Sequence, residues 1–404
     1  MTTTNKDKKK LGLYIHIPFC LRKCAYCDFL SFENDSAVIH KVYVKALMKE
    51  IEYYGSVYGN DFTVNTVFLG GGTPSILLQS MTDDIVKSVK YSFDVSVDSE
   101  ITIEANPKTL TETKLSAYLE SGINRLSIGA QSFNDFLLKI LSRVHLSEDT
   151  VKNFKMARAA GFKNINIDLI FGVPQQTQEV WKDTLLQGLA LEPEHISFYS
   201  LQIEKGTKFY ELFVKGPYEK ASEKLDREMY HYGLEELKTG GYDRYEISNA
   251  AKPGYECRHN IKYWTMEDYI GVGIGAHSYI KGIRRGNITD FDMYIEKNLE
   301  NPAGLQSNEK ILATNRENSF TDEVSEYMFT GLRMADGISI EDFEKRFKKP
   351  LKEIYYKEWR NIEKYITDKL LINEAGRLSL SDKGIDISNK IMSEFMISAG
   401  RPAK

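Results

Sequence analysis

Three of the four cysteines lie within eight positions near the N-terminus. They are Cys20, Cys24 and Cys27, spaced C-x3-C-x2-C. Thiolates are soft ligands that suit zinc, copper(I) or iron–sulfur clusters, and a complete site normally uses four ligands. A four-iron, four-sulfur cluster held by three cysteines leaves one iron without a protein ligand and open to a small molecule. The spacing therefore favours an iron–sulfur centre with one coordination position free for a second cofactor.

A zinc site and a redox pair both stay open on the residues alone. A structural zinc ion could take His16 as its fourth ligand, although His16 lies within a strand pattern and zinc knuckles favour paired C-x2-C motifs. A redox pair made by Cys24 and Cys27 would leave Cys20 without a role. A reducing compartment would keep all of them as thiols.

The composition is that of a soluble globular protein. The chain has 404 residues, of which 42% are hydrophobic and 27% are charged, enough for one large domain and a smaller one. The formal net charge of -4 gives no global attraction to nucleic acid, and we expect no nucleic-acid partner. No apolar run approaches the roughly 18–20 residues of a membrane span, and the polar start MTTTNKDKKK lacks the apolar stretch of a signal peptide. We expect a cytoplasmic protein with a flexible leader.

Strand patterns alternate with helical patterns up to about residue 205, which predicts a parallel sheet built from βα units. The candidate strands are residues 11–17, 65–71, 100–106, 124–130, 164–172 and 195–202. Helical periodicity covers residues 41–55, 111–122 and 147–161, each ending at a glycine. Periodicity alone does not distinguish a closed or nearly closed barrel from an open doubly wound sheet.

The sequence pattern of the second half of the chain differs from the alternating strands and helices of the first half. A helix predicted over residues 222–241 leads into a turn-rich stretch with many glycine, aromatic and histidine residues, and residues 370–381 are typical of a short hairpin before a last helix. The predicted domains are a leader (1–10), a barrel (11–220), an extension of the barrel (221–321) and a small helical, winged-helix-like domain (322–404).

The cysteine spacing, with Tyr26 just before the last cysteine, resembles the radical S-adenosylmethionine (SAM) enzymes. The longer pattern Y-I-H-I-P-F-C followed by Y-C-D-F resembles their coproporphyrinogen III oxidase-like group. The resemblance implies an α/β fold with a partial (β/α)6 barrel and a 4Fe–4S cluster held by the three cysteines. It also implies SAM as cofactor, with its amino and carboxylate groups on the open iron. In that family one electron from the cluster breaks the sulfonium bond and gives a 5′-deoxyadenosyl radical.

Polar residues at the predicted strand ends match the SAM-binding positions of the family. The loop after the second strand would let its backbone approach the methionyl end of SAM, Glu104 would meet the ammonium group and Arg143 the carboxylate. A zwitterionic sulfonium ligand needs one anion, one cation and neutral hydrogen-bonding groups. The full set that the resemblance implies is Tyr14, Tyr26, Gly71, Gly72, Thr73, Glu104, Gln131, Arg143, Asp168 and Gln202.

Two departures from the oxidases narrow the resemblance. The oxidases carry a further cysteine two positions after the third and an N-terminal extension, whereas here Phe29 takes that position and nineteen residues precede Cys20. Both departures favour the shorter branch, the HemW-type heme chaperones, which are thought to bind heme as cargo and deliver it to membrane-bound respiratory enzymes. That role leaves open a peripheral contact with the inner face of the membrane. The alternatives are an oxygen-independent coproporphyrinogen III oxidase and a radical SAM enzyme of unknown substrate.

The stretch RHNIKYW matches the HNxxYW motif of that branch. Its candidate heme residues are His259, Asn260, Tyr263 and Trp264. A neutral imidazole beside aromatic residues supplies the donor and the apolar wall that a porphyrin needs, so His259 is the candidate axial ligand. The alternative is that His259 caps a turn and its aromatic neighbours are core. Cys257 is expected to be a small buried residue, and His277 is a lesser candidate ligand.

Overall fold

The computed structural model describes residues 8–299 and 311–397. Its centre is a run of six parallel strands, each of which overlaps one of the six predicted strands. They are β1 (Lys9–Ile17), β4 (Phe62–Gly71), β5 (Asp94–Ala105), β6 (Arg125–Gln131), β7 (Ile165–Phe171) and β8 (His195–Ser200). Parallel strands align their carboxyl ends, so the polar residues that follow each strand come to one edge of the sheet.

Helices connect successive strands and pack on the sheet. They are α1 (Ala37–Tyr58), α2 (Gln79–Ser92), α3 (Glu112–Ser121), α4 (Asp135–Ile140), α5 (Ser147–Ala160) and α6 (Gln178–Ala190). Two predicted helix ends are confirmed, because Gly122 and Gly161 adopt φ of 99° and 114° as left-handed caps. The predicted end at Gly55 is wrong. α1 continues through it, because Gly55 packs against α2, where a Cβ would lie 2.5 Å from Ser92.

The next segment extends the sheet at both edges. Beside β8 lie the antiparallel strands β10 (Asn249–Ala251) and β9 (Asp243–Glu246). Beside β1 lie β11 (Tyr269–Val272), β12 (His277–Ile280), β13 (Ile283–Asn287) and β14 (Leu312–Glu317). β11 is parallel to β1, and the other added strands are antiparallel to their neighbours. Within the described ranges the strand order has two free ends, which makes a partial barrel and not a closed one.

Further helices flank this extended sheet. They are α7 (Lys208–Lys215), α8 (Glu223–Thr239), α9 (Arg258–Trp264) and α10 (Phe291–Leu299). The predicted helix over 222–241 is confirmed by α8, whose N-cap Ser222 accepts a hydrogen bond from the Leu225 amide. Of the predicted leader, residues 1–7 lie outside the described residues, and β1 already begins at Lys9.

The C-terminal region is mainly helical and carries one small sheet. Its helices are α11 (Phe320–Gly331), α12 (Ile340–Phe347), α13 (Leu351–Ile354), α14 (Trp359–Thr367), α15 (Asp382–Ile385) and α16 (Ser388–Ser393). β16 (Leu371–Glu374) and β17 (Arg377–Leu380) form the predicted hairpin, joined by β15 (Ile338–Ser339). In the part of the chain that the structure describes, no helix has the length and apolar character needed to cross a membrane.

Candidate functional site

The three clustered cysteines lie on the loop between β1 and α1. Cys20 ends the short strand β2 (Phe19–Cys20), and its carbonyl accepts a hydrogen bond from Asn34 after β3 (Phe32–Glu33). The Cys27 amide donates to the Cys24 carbonyl at 3.1 Å. Burial, together with the nearby Cys24 and Cys20, raises the pKa of Cys27 to about 11. The thiols are therefore close enough to affect one another's charge.

The loop after β4 packs directly against the cysteine loop. The amides of Gly72 and Thr73 donate to the Ile17 and Phe19 carbonyls, both at 2.8 Å. The Thr73 hydroxyl also donates to Sγ of Cys20 at 3.5 Å. The predicted SAM-binding loop thus holds the cysteine loop in place, and Thr73 contacts a predicted cluster ligand.

Glycine is required where these two loops meet. Gly71 has a φ of 111°, and a Cβ on it would lie 2.5 Å from the ring of His16. Both nitrogens of that ring are already bonded, Nδ1 to the Tyr14 hydroxyl at 2.9 Å and Nε2 to the Leu30 carbonyl at 2.8 Å. His16 therefore orients the loops through protein hydrogen bonds.

Two carboxylates share the carboxyl edge of the sheet. Oε2 of Glu104 accepts from the Gly71 amide at 3.1 Å, and Asp168 accepts from Asn166 at 2.7 Å and Ser127 at 3.3 Å. Burial, and then the charge of Asp168, raises the pKa of Glu104 to about 8, and burial raises the pKa of Asp168. Neither forms an ion pair with a residue in the described ranges. The charge of the buried Arg125 acts on both acids without pairing with either, and two crowded acids of this kind suit a positively charged ligand such as the ammonium and sulfonium groups of SAM.

Arg143 connects this edge to the cysteines. Its Nη1 donates to Sγ of Cys24 at 3.3 Å and its Nη2 to the Gly129 carbonyl at 2.7 Å, while its buried Nε has no protein partner. A Cβ on Gly129 would lie 2.8 Å from Nε2 of Gln131 and 3.2 Å from Nη2 of Arg143. The absence of a side chain at Gly129 therefore leaves space for two residues of the predicted SAM site, Gln131 and Arg143. The sequence analysis did not identify Gly129, although a glycine within a strand of β-branched residues often marks a place where another group comes close to the backbone.

The remaining predicted SAM residues lie around this site. The Tyr14 ring stacks on Phe68 with centroids 6.3 Å apart, and Tyr26 lies near Phe209, at 6.5 Å. Gln202 is exposed and bonds the Ser200 carbonyl at 3.2 Å. The assembled set of acids, one guanidinium with an unpartnered nitrogen and neutral hydrogen-bonding groups fits SAM. The three thiols fit a cluster with one open iron.

His259 of the HNxxYW motif is fully buried on α9. Its Nδ1 is 2.9 Å from the Thr66 hydroxyl, and its Nε2 is 2.8 Å from the Tyr263 hydroxyl. The ring stacks on Phe68 with centroids 5.4 Å apart. Burial, and then the charges of Lys262 and Arg125, lowers the pKa of His259 to about 3. The imidazole is therefore neutral at pH 7, with both nitrogens bonded to protein groups.

The motif packs against the middle of β1 and β4, where the ring of Phe68 contacts both His259 and Tyr14 of the predicted SAM site. A Cβ on Gly12 would lie 3.3 Å from Cε1 of His259, and Gly12 precedes His16 by four residues, about 13 Å of strand. Trp264 packs under the guanidinium of Arg333 at 4.4 Å, and Asn260 is partly accessible. His259 as heme ligand stays a prediction.

The two neighbours considered as lesser ligands differ in burial. Cys257 is completely buried, as predicted, and caps α9, with Sγ 3.7 Å from the Glu100 carboxylate. His277 is exposed on β12.

Comparison with known families gives the class of the protein. Residues 14–187 match the profile of the radical SAM superfamily, and residues 319–387 match that of the HemN C-terminal domain. The chain is a radical SAM protein. This class implies a 4Fe–4S cluster and SAM, and it supersedes the zinc site and the redox pair as roles for the cysteines.

Full-length relatives give the family. The chain is 34% identical to the heme chaperone HemW of Lactococcus lactis, over 96% of this chain and 98% of the relative. It is 35% identical to that of Bacillus subtilis, over 95% and 98%, and 36% identical to that of Escherichia coli, over 81% and 83%. The chain belongs to the heme chaperone HemW family.

A solved structure confirms the fold. Coproporphyrinogen III oxidase (HemN) from Escherichia coli superposes with a TM-score of 0.80 at 22% identity, over 96% of this chain and 90% of that chain. The family profiles and full-length relatives confirm the predicted family and cofactors, and the solved structure confirms the partial-barrel fold. The individual site residues stay predictions.

Proposed function

We propose that this protein is a heme chaperone that binds heme as cargo and delivers it to membrane-bound respiratory hemoproteins. The observation that carries the proposal is the match to heme chaperones along nearly the whole length of both chains. The alternative is an oxygen-independent coproporphyrinogen III oxidase. These oxidases share the fold, but their sequence pattern has a cysteine where this chain has Phe29. Phe29 is 62% exposed beside the cysteine loop, so no thiol occupies that position.

The proposed cofactor site follows from the carboxyl edge of the sheet. Cys20, Cys24 and Cys27 would hold the cluster, and the cluster with SAM supplies one-electron chemistry when both are bound. Glu104 and Arg143 would bind the amino and carboxylate ends of SAM. The other residues proposed to contact SAM are Tyr14, Tyr26, Gly71, Gly72, Thr73, Gln131, Asp168 and Gln202.

The proposed heme ligand is His259, with the rest of its motif as the apolar wall. Ligation needs a lone pair on a ring nitrogen, and both nitrogens are bonded to hydroxyl groups in this conformation. Iron binding through Nε2 therefore requires that Tyr263 move away and that the packing against Phe68 open. Loading of His259 with heme is proposed to be coupled to this opening.

The proposed location in the cell follows from the proposed role in heme delivery. A chaperone that serves respiratory enzymes would work in the cytoplasm and touch the inner face of the membrane only while it delivers heme.

The experiment is a transfer assay. Reconstituted protein is loaded anaerobically with one equivalent of heme and mixed with membranes whose respiratory hemoproteins lack heme. The proposal expects heme to appear in the membrane enzymes and the Soret band of the donor to fall. In parallel, coproporphyrinogen III with SAM and a reductant should release no carbon dioxide. Decarboxylation above background, without heme transfer, would establish the oxidase instead.

A further inference from the structure

An open cavity of about 740 Å³ adjoins the cysteine loop on the side of α4. This volume lies within the roughly 300–1,000 Å³ range of small-molecule sites. The cavity is formed by the cysteine loop, α4 and the segment that carries Arg143, whose guanidinium contacts Cys24. It is distinct from the HNxxYW motif, which packs against the middle of β1 and β4.

The rim of this cavity is cationic. Arg22, Lys139 and Lys208 line it and are exposed, and none forms an ion pair with a residue that the structure describes. The acids on the rim are Glu33 and Asp135, and each accepts a backbone amide, from Lys23 and Ser147 respectively. An excess of unpaired cations in a chain of net charge -4 indicates an anionic ligand.

Between the cations the lining carries exposed apolar side chains and one imidazole. Phe136 is 55% exposed and Leu146 is 45% exposed, so two apolar side chains face solvent beside the cations. His145 also lines the cavity and is 1% exposed. Its Nε2 lies 3.1 Å from the Ala130 carbonyl, which can only accept, so Nε2 carries the hydrogen. Nδ1 is then a buried acceptor without a protein partner in the described residues.

We propose that this cavity is a docking site for heme, separate from the HNxxYW motif, in which the propionates contact Arg22, Lys139 and Lys208 and the porphyrin face lies on Phe136 and Leu146. This inference rests on the proposed function. A ferric porphyrin has a broad apolar face and two carboxylates on one edge, and this cavity combines exposed apolar side chains with unpaired cations. The site is reachable in the conformation described, whereas His259 is not.

The test is an anaerobic heme titration of the full-length protein, followed by the Soret band. The triple variant Arg22→Gln, Lys139→Gln and Lys208→Gln should weaken heme binding roughly tenfold, the combined effect of three partly exposed charge contacts. The loss should appear in the wild-type background and in the His259→Ala background. Heme dimethyl ester, which lacks the carboxylates, should bind the wild type and the triple variant equally weakly.

The matched control changes two exposed lysines of the C-terminal region, Lys364→Gln and Lys390→Gln, which should leave heme affinity unchanged. Equal heme affinity of the triple variant and the wild type would overturn the docking site while the proposed function stands. So would ester binding as tight as heme binding. Absence of any saturable heme binding by the wild type would overturn the proposed function itself.

Discussion

Nη1 of Arg143 lies 3.3 Å from Sγ of Cys24, and this contact joins the predicted cluster to the predicted SAM site. The same guanidinium bonds the Gly129 carbonyl and keeps an unpartnered Nε. One residue therefore contacts the thiol, is held in position by its bond to Gly129 of β6, and keeps one nitrogen free to bind the carboxylate of SAM.

Replacing Arg143 or Asp168 by Ala should weaken the response of the cluster to SAM. Each change removes a charged contact to the cofactor, while all three cysteines remain. Electron paramagnetic resonance of the reduced protein should show a smaller SAM-induced change at unchanged iron content. The matched control Arg360→Ala lies in the C-terminal region and should respond like the wild type. Loss of the cluster in the Arg143 or Asp168 variant would show that the residue is structural.

The triple change of Cys20, Cys24 and Cys27 to Ala should abolish the cluster. The wild type should reconstitute with about four irons and four sulfides, because the three thiolates are its protein ligands. Cys257→Ala is the control and should keep the full content, since that thiol is buried beside Glu100 on α9. Undiminished iron in the triple variant would remove the cluster assignment.

Gly129→Ala should weaken SAM binding with little loss of fold. The new Cβ would meet only the ends of two flexible side chains, at 2.8 Å from Gln131 and 3.2 Å from Arg143. Those ends must move, and both belong to the predicted SAM site. Titration calorimetry should show weaker SAM binding, while the melting temperature and iron content change little. Gly188→Ala is the control and should leave SAM binding unchanged, because its Cβ would meet only Leu169 and Phe133, at ordinary contact distances of 3.5 and 3.6 Å.

Glu104 should make the stability of the SAM-free protein fall as pH rises. Its folded pKa is about 8 against an ordinary value of 4.5, so the folded state keeps a proton that the unfolded state loses. The contribution is fully present below about pH 4.5 and is lost as pH rises through 8. The free energy of unfolding of Glu104→Gln, relative to that of the wild type, should therefore rise by roughly 1–3 kcal/mol from pH 5 to pH 8. Denaturant unfolding measures this difference, and an equal gain at both pH values would contradict the raised pKa.

His259→Ala should weaken heme binding by roughly 10–100-fold if this residue ligates iron. Tyr263→Phe removes the hydroxyl bonded to Nε2 and should therefore leave heme binding at least as tight as in the wild type. Cluster content should not change in either variant, because the cysteines lie in a separate loop. An unchanged Soret spectrum in His259→Ala would assign His259, Tyr263 and Trp264 to packing alone.

Much of the fold could be predicted because its signals are local. Each central strand is a short run of branched or apolar residues, and Gly122 and Gly161 end helices through left-handed caps that only their own turns determine. Gly55 resembled them in sequence. Its role depends on Ser92, on a different helix, and a pattern within one segment does not contain that contact.

The individual residues of the candidate site could be predicted from the sequence, but the contacts between elements distant in the chain could not. Glu104 lies near the end of β5 and Asp168 within β7, so their proximity follows from parallel topology. The placement of α9 does not, because it depends on contacts of His259 with Thr66, 193 residues away. The docking cavity likewise joins the cysteine loop to α4, which are brought together only by the folded chain.

A heme titration of the anaerobically reconstituted wild-type protein is the decisive measurement for the heme chaperone assignment. The assignment predicts a saturable Soret shift on protein that holds about four irons and four sulfides before heme is added. A titration without saturation, on protein whose cluster is intact and responds to SAM, would contradict it.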